Sequence, residues 1–298
     1  IHAGLRVRPF NNTSAKVSLA FSDRAASTYQ WDQSYYALLD SELINETPDS
    51  QRYNNHPSLS QYYMSNREKT VAKVNLNFIP DRLWSHNLFL LWDDNHYDKT
   101  SLGLEADNRQ NMTLSSSYLP STTLSVTAYY SYDLYNAEQN GRSFRGGVEK
   151  NAFVTVAPFP QASDPTRDWY SELDDTTHAL GFNIEWQAIP SLVDIEFDYN
   201  FVDTEGKQTF NTGGASDLAG TSLPAIESRL HHIKLGSTYY FQKDLSIKLN
   251  YQFYRLSEKN WAVDDMSADS VDKVVLTEER SANDNIHFVG LSVLYRIP

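Results

Sequence analysis

The chain has 298 residues, a formal net charge of −13, no cysteine and 40% hydrophobic residues, with a mean hydropathy of −0.53. The acidic balance argues against nucleic acid as a partner, and the lack of cysteine excludes disulfides, thiolate metal sites and covalent c-type haem on this chain. No stretch of 18 uninterrupted apolar residues is present, so the sequence predicts no transmembrane helix. The 19 Tyr, 14 Phe and 6 Trp are instead typical of a membrane β-barrel, in which aromatic residues gather at the two interfaces.

Apolar and polar residues alternate in eleven segments, and this period of two predicts eleven β-strands. Short turns join some of these strands, whereas long polar segments join the others. In chain order, the predicted strands are residues 1–7, 15–21, 72–78, 88–92, 112–118, 124–130, 180–186, 193–201, 233–241, 245–253 and 289–297. The predicted long loops are about 23–67, 136–175, 207–227 and 259–283.

Residues 193–201 show the alternation most clearly. They read Val-Asp-Ile-Glu-Phe-Asp-Tyr-Asn-Phe, so one face of the strand is apolar and the other is acidic or amide. A run of about nine residues with one apolar face matches a tilted strand that crosses a bilayer. The acidic residues on the other face are costly unless water or a basic partner surface meets them.

The alternation of short turns and long loops predicts the fold class, an all-β, antiparallel, up-and-down β-barrel in the bacterial outer membrane. We interpret residues 1–298 as one barrel domain whose long loops are extracellular. Single-chain bacterial barrels normally have an even number of strands, with both ends on the periplasmic side. Eleven strands therefore predict that one or more N-terminal strands of a larger barrel precede this chain.

The alternation also divides the strand residues between a lumen-facing set and a lipid-facing set. The lumen-facing candidates for partner contact are Lys73, Asn75, Thr113, Ser115, Asp194, Glu196, Asp198, Lys234, Lys248 and Asn250. The lipid-facing candidates are Val193, Ile195, Phe197, Leu235, Leu249, Leu291 and Val293. A polar lumen of this kind suits either a water-filled channel or close packing against another folded protein.

The sequence contains none of the common catalytic motifs, so we predict a non-catalytic protein without a cofactor or metal ion of its own. His231 and His232 are adjacent on a predicted strand and point to opposite faces, which prevents them from binding one metal ion together. We interpret His232 as a polar lumen residue and His231 as a residue near a membrane interface.

An acidic cluster in the last long loop has oxygen ligands that could hold calcium. Its spacing matches no EF-hand loop, and we interpret it as a solvated loop. The cluster consists of Asp264, Asp265, Asp269 and Asp272.

Several segments carry a family resemblance. The most specific are Leu-Asn-Tyr-Gln-Phe-Tyr at 249–254, Asn-Trp-Ala-Val-Asp at 260–264 and His-Phe-Val-Gly-Leu-Ser-Val at 287–293. Weaker similarity is found at 63–69, 128–132, 141–144 and 228–231. In this order, over about residues 60–298, the chain resembles the MtrB/PioB family of decahaem-associated outer-membrane proteins.

This resemblance implies a large barrel that sheathes a periplasmic decahaem c-type cytochrome. The partner's haems would carry electrons across the outer membrane in extracellular electron transfer, and the haem c would belong to the partner alone. The resemblance also implies that a second, extracellular multihaem cytochrome docks on the outer loops. Membrane lipid is the remaining expected partner.

Two other functions are compatible with the same strands. A diffusion porin or substrate-specific outer-membrane channel would use the same two faces. A soluble carbohydrate-binding β-sandwich would need polar outer sheet faces, and it leaves the alternation of turn and loop lengths unexplained. The turn and loop pattern therefore favours a barrel, but it does not separate a cytochrome sheath from a porin.

Overall fold

The strands form one eleven-stranded antiparallel sheet in sequence order, from β1 at one edge to β11 at the other. The structure, a computed structural model, describes residues 1–25, 45–53, 55–59, 62–98, 102–218, 220, 222–264 and 280–296. The strands are β1 (His2–Phe10), β2 (Thr13–Arg24), β3 (Arg67–Phe78), β4 (Trp84–His96), β5 (Gly103–Ser121), β6 (Leu124–Arg142), β7 (Asp168–Ile189), β8 (Val193–Thr212), β9 (Ile226–Gln242), β10 (Leu245–Lys259) and β11 (Asn283–Tyr295). Short 3₁₀ turns lie in the connections at Asp49–Gln51, Gly147–Lys150, Gln161–Ser163 and Pro165–Arg167. Among the described residues, no helix is both long and apolar enough to cross a membrane.

Short polar turns join the strands at one end of the sheet. The β7–β8 turn contains Ser191 in the left-handed region, at φ 63°, and a hydrogen bond of 2.9 Å from the Leu192 amide to the Ile189 carbonyl closes it. In the β3–β4 turn, the Asp81 carboxylate accepts two backbone N–H groups at 2.7 and 3.0 Å. Such local turns set the hairpin register and keep the apolar residues of both strands on one face.

The register carries the alternation of each strand across the whole sheet. Ile184 pairs with Phe197, Phe197 with Leu235, and Leu235 with Tyr251, so these four side chains share a face. We call this the apolar face and the opposite one the polar face. The accessible surface is 19447 Å², against about 12,800 Å² expected for a compact protein of this mass. On the apolar face Leu114, Leu235 and Leu249 are 45–50% exposed, so the described residues leave this face uncovered and it needs an apolar environment outside it.

Several strands are longer than the alternation predicts, and two predicted loop ranges are wrong. β6 continues to Arg142 and β7 begins at Asp168, well inside the loop predicted at 136–175. β8 continues to Thr212 within the loop predicted at 207–227. Backbone pairing continues at these strand ends although both faces have become polar, so the alternation stops before the strands do.

The other two predicted loops, 23–67 and 259–283, agree closely with the ends of the strands that flank them. Their residues 26–44 and 265–279 lie outside the described part of the chain.

Three tyrosine–histidine pairs mark the end of the apolar face nearest the long loops. In each pair the tyrosine hydroxyl is hydrogen-bonded to the histidine Nδ1 across two neighbouring strands. The pairs, which we call the Tyr–His line, are Tyr130–His178 (2.8 Å), Tyr199–His231 (3.0 Å) and Tyr251–His287 (2.9 Å). Side chains with an apolar body and a polar tip suit a boundary between an apolar and a wet region.

A second aromatic line lies nearer the short turns. On each of β7, β9 and β11, an aromatic residue follows the histidine of the Tyr–His line by eight positions. We call Trp186, Tyr239 and Tyr295 the turn-side line. Eight residues of strand span about 26 Å.

The register makes both lines level in a barrel of tilted strands. His178 pairs with Asp203, and Asp203 pairs with Arg229, which is two residues from His231, so the Tyr–His line shifts by two residues over two strands. The line thus shifts by one residue, about 3.3 Å along the strand, for each inter-strand spacing of about 4.8 Å. It is level across the barrel when the strands tilt by about 35° from the barrel axis. The two lines are then about 22 Å apart along the barrel axis, close to the roughly 25 Å apolar band of outer-membrane barrels.

Candidate functional site: the polar face and the loop junction

The register decides which of the predicted side chains share a face. The predicted lumen residues all lie on the polar face: Lys73 and Asn75 on β3, Thr113 and Ser115 on β5, Asp194, Glu196 and Asp198 on β8, Lys234 on β9, and Lys248 and Asn250 on β10. The predicted lipid residues all lie on the apolar face: Val193, Ile195 and Phe197 on β8, Leu235 on β9, Leu249 on β10, and Leu291 and Val293 on β11. Their contact with a lumen partner or with lipid stays a prediction.

A charge network occupies the polar face of β8 to β10. The Glu196 carboxylate accepts a hydrogen bond of 3.1 Å from the Lys248 ammonium. The Lys234 ammonium lies 3.7 Å from Asp198 and 4.0 Å from Glu196, and Asn183 donates to Asp198 at 2.7 Å. These carboxylates and ammonium groups are 28–39% exposed, so each ion pair contributes little stability. The two lysines neutralise part of the acidic surface, and the charged groups remain accessible to water.

Acidic residues remain in excess at the turn end of this network. Glu185 lies directly opposite Glu196, and the described residues give Glu185 no cationic partner. Asp194 accepts a hydrogen bond of 2.8 Å from the Tyr240 hydroxyl and has no ion pair among the residues that the structure describes. Like charges directly opposite each other are destabilising in a sheet. This zone therefore favours a cationic or well-hydrated neighbour.

The polar face of β1 to β3 is basic instead. Lys16 pairs with Arg6 on one side and with Asn75 on the other, and Lys73 pairs with Ser18. Within the described part of the chain, none of these three cations has an ion pair. The polar face thus has a basic zone, Arg6, Lys16 and Lys73, and an acid-rich zone on β7 to β10.

Between the two zones, amides and hydroxyls bond mainly to one another. Asn111 donates to Ser131 at 3.1 Å, and the Thr113 hydroxyl donates to Asn111 at 3.0 Å. Asn87 donates to Asn77 at 2.8 Å on the neighbouring hairpin. Such groups can exchange these bonds for bonds to water or to a protein surface at little cost.

His231 and His232 lie on opposite faces, as the sequence predicts. His231 belongs to the Tyr–His line. His232 lies on the polar face, where its ring stacks on Tyr254 with centroids 4.1 Å apart and planes 10° apart. Its Nε2 atom is buried and has no hydrogen-bond partner in the described part of the chain.

A packed loop junction at the long-loop end was not predicted. Tyr53, His56 and Ala162 are buried where residues 45–53 and 55–59 meet the 143–167 loop, and the centroid of the Phe144 ring lies 6.2 Å from that of Tyr53 and 5.7 Å from that of His56. His56 Nε2 donates to the Ala162 carbonyl at 2.7 Å, and its Nδ1 accepts the Ser58 amide at 3.0 Å. The ring is therefore neutral, and burial lowers the pKa of His56. Three aromatic rings in two polar loops were the only signal of this junction in the sequence.

Arg167 extends the junction to the loop that follows β8. Its guanidinium forks onto the Asp217 carboxylate at 2.7 and 3.1 Å and donates to the Ser143 carbonyl at 2.6 Å. The hydrogen bonds from Arg167 lower the pKa of the Asp217 carboxyl group. Segments that follow β2, β6 and β8 are thus joined to one another at one end of the sheet.

The described residues contain no group of three His, Asp or Glu side chains placed to hold a metal ion. Asp264 accepts the Ser281 amide at 2.8 Å, and the other members of the predicted acidic cluster, Asp265, Asp269 and Asp272, lie outside the described residues.

The chain matches the family model "Putative outer membrane beta-barrel porin, MtrB/PioB" over residues 1–297. It belongs to the MtrB/PioB family. It is 20% identical to the outer membrane protein MtrB of Shewanella baltica (strain OS185) over 298 residues, which cover 100% of this chain and 37% of that protein. A shorter similarity, 27% identity over 97 residues, links 30% of this chain to 24% of outer membrane porin F of Salmonella typhimurium (strain SL1344). The chain therefore spans well under half the length of its MtrB relative.

Solved structures of outer-membrane proteins have the same fold. The ferric preacinetobactin receptor BauA of Acinetobacter baumannii has a TM-score of 0.55 and 10% identity, covering 100% of this chain and 42% of its own. The copper transporter OprC has a TM-score of 0.53 and 12% identity, covering 95% of this chain and 37% of its own. At these identities the similarity concerns the fold alone. The family and the fold confirm an all-β, antiparallel outer-membrane protein, as the strand pattern predicts.

Proposed function

We propose that this chain forms part of the wall of an outer-membrane barrel that encloses and positions a periplasmic multihaem c-type cytochrome. Electrons cross the membrane through the haems of the partner, in extracellular electron transfer. The barrel insulates and orients that partner, and it supplies no catalytic group and no cofactor.

The proposal rests on the expected width of the barrel formed by the full-length protein. Eleven strands lie in a chain that spans 37% of its MtrB relative, and the same strand density over that whole length corresponds to about 30 strands. Barrels of 16–18 strands leave an aqueous channel, and those of about 22 strands hold a folded plug in the lumen. A wider barrel without an occupant would leave a large hole in the membrane. A folded protein in the lumen removes this defect.

The polar face has the chemistry of a wet protein interface. It combines hydroxyls, amides and charges of both signs, and the amides and hydroxyls bond to one another rather than to a buried core. Interfaces between folded proteins are similarly polar at the rim and contain many bridging waters. A cytochrome gains from such a wall because its own charges and backbone could not enter about 30 Å of hydrocarbon.

The second partner of the proposal is an extracellular multihaem cytochrome at the outer loops. The loop junction gives these loops a fixed shape, and the 143–167 loop exposes Val148 and Val156 by 77% and 75%. A loop of fixed shape that presents exposed side chains offers a surface for a partner protein.

A porin is the alternative function. The family description and the similarity to porin F both favour it, and a polar face with separate basic and acidic zones can also select ions. The two functions differ in whether the lumen is occupied.

The deciding experiment is to purify the full-length protein from native outer membranes in mild detergent, then record visible spectra and stain separated bands for haem. A stoichiometric c-type haem signal on a co-purifying band, with none on the barrel, supports the sheath. A colourless barrel whose reconstituted channels pass ions or sugars supports the porin instead.

Charge reversal tests which face holds the cytochrome. Lys16→Glu with Lys73→Glu places two acids in the basic zone, and we expect a several-fold loss of co-purifying haem that depends on salt. Lys207→Glu with Lys259→Glu changes the net charge equally on the opposite face and is the matched control. Equal haem loss in both variants would contradict binding at the polar face.

A further inference from the structure

Arg255 lies on the apolar face where the Tyr–His line crosses β10. It pairs with His231 of β9 on one side and with Asn285 of β11 on the other. His287 is its diagonal neighbour, opposite Phe253. The Arg255 side chain is exposed, and the described part of the chain gives it no hydrogen bond or ion pair.

The other strand cations on this face near Arg255 differ from it in having carboxylate partners. These ion pairs are Lys207–Glu205, Arg229–Asp203 and Lys259–Glu227. All three ion pairs lie farther than Arg255 from the apolar band. At their positions water competes with the ion pair. An unpaired guanidinium beside hydrocarbon has less water available and gains more from an anion.

The two neighbouring histidines can add neutral donors to this cation. The Tyr199 hydroxyl is bonded to Nδ1 of His231, and the Tyr251 hydroxyl is bonded to Nδ1 of His287. When each hydroxyl donates to Nδ1, the proton of the neutral imidazole lies on Nε2, which becomes a donor. Arg255 and the two imidazoles then present several N–H groups over about two strand spacings, or about 10 Å.

We propose that Arg255, together with His231 and His287, binds the phosphate group of a lipid in the outer leaflet. Guanidinium recognises phosphate oxygens in a bidentate geometry, and the Asn285 amide can meet a headgroup hydroxyl or ester oxygen. Long loops of outer-membrane barrels are extracellular, which places the Tyr–His line at the outer leaflet.

The surroundings favour a lipid over a free anion. Directly below Arg255 on the apolar face lie Phe253, Tyr251 and Leu249, toward the short turns. An acyl chain attached to the bound phosphate covers these side chains, whereas inorganic phosphate leaves them uncovered. This site lies outside the barrel, so it does not depend on which molecule the lumen holds.

Native mass spectrometry of the full-length protein in detergent tests the site. The probes are lipid A with two phosphates, the same lipid A after enzymatic removal of both phosphates, and inorganic phosphate. We expect the phosphorylated lipid to remain bound, and Arg255→Gln to weaken its binding on the order of tenfold. His231→Gln with His287→Gln should weaken it less, because neutral donors contribute less than a guanidinium.

Lys243→Gln removes one positive charge from the exposed β9–β10 turn, at the other end of the sheet, and is the matched control, with lipid binding expected to equal that of the unaltered protein. Arg255→Lys keeps the positive charge but loses the bidentate geometry, so its affinity for the phosphorylated lipid should be intermediate. A heat-modifiability gel verifies that each variant is folded. Equal binding by Arg255→Gln, equal binding of the dephosphorylated lipid, or equally tight binding of inorganic phosphate would each overturn the proposal.

Discussion

Leu235 is the residue at which the position of the sheet in the membrane can be tested most directly. It lies four residues from His231 and four from Tyr239, halfway between the Tyr–His line and the turn-side line. Its side chain lies between Phe197 and Tyr251 on the apolar face and is 45% exposed. The Cα atom of an arginine at this position would lie about 11 Å from either line, measured along the barrel axis.

We expect Leu235→Arg to cost roughly 2–4 kcal/mol of unfolding free energy, the magnitude for arginine at the midplane of a barrel. Ser237→Arg is on the same face but closer to the turn-side line, so it should cost less, about 1–2 kcal/mol. Thr238→Arg enters the polar face opposite Asp194 and should change stability by no more than about 0.5 kcal/mol. The order of the three costs follows from face and depth alone.

The assay is reversible denaturant unfolding of the full-length protein in lipid vesicles, followed by tryptophan fluorescence and by mobility of the unheated protein on gels. If Leu235→Arg costs no more than Thr238→Arg, the apolar face does not contact lipid. If Ser237→Arg is the costlier of the two apolar-face variants, the two lines do not bound the hydrocarbon.

Three further predictions concern the polar face and the loops. Glu196→Gln should change the unfolding free energy by less than about 0.5 kcal/mol, because its ion pairs are partly exposed and a neighbouring glutamate repels it. Gly181→Ala places a Cβ 1.9 Å from a carbon of the Tyr129 ring, so the ring must move, at a cost of about 1–3 kcal/mol in the same assay. Because burial lowers the pKa of His56 in the folded state, the loop junction should resist protease above about pH 6.5, and this stabilisation should be lost as the pH falls through the folded pKa.

Each of these predictions has a defined contrary result. A cost above 1 kcal/mol for Glu196→Gln, on the order of a single buried hydrogen bond, would show that the charge network is structural. A neutral Gly181→Ala would show that the Tyr129 ring has room to move. In the His56→Gln variant the pH step in protease resistance should disappear, and a step that persists would have to come from another group, such as Asp217.

The sequence by itself determined the strands and their faces. Alternation is local, since neighbouring side chains of any strand point to opposite faces, so Val193 and Asp194 are separated whatever the partners of β8 are. Short turns, such as the β7–β8 turn with Ser191 in the left-handed region, then set the register of the hairpins. For this reason the eleven strands and both sets of faces follow from the sequence, as does the resemblance to the family.

Strand ends and loop packing could not be read in the same way. Beyond the Tyr–His line both faces are polar. The end of β6 and the start of β7 nevertheless remain strands, because their backbones are hydrogen-bonded to each other. The loop junction depends on Tyr53 and His56 meeting Phe144, and on His56 bonding to Ala162, which are far away in the sequence. The aromatic rings in these polar loops do not by themselves indicate which residues they will contact.

Only the tertiary structure decided how residues on different strands are aligned. The spacing of eight residues between His178 and Trp186 is visible in the sequence, but the level of one strand relative to the next depends on inter-strand hydrogen bonds. Among the described residues, the same register gives Arg229 the partner Asp203 and places no carboxylate opposite Arg255. Alternation sets which way a side chain points, and pairing between strands sets what it meets.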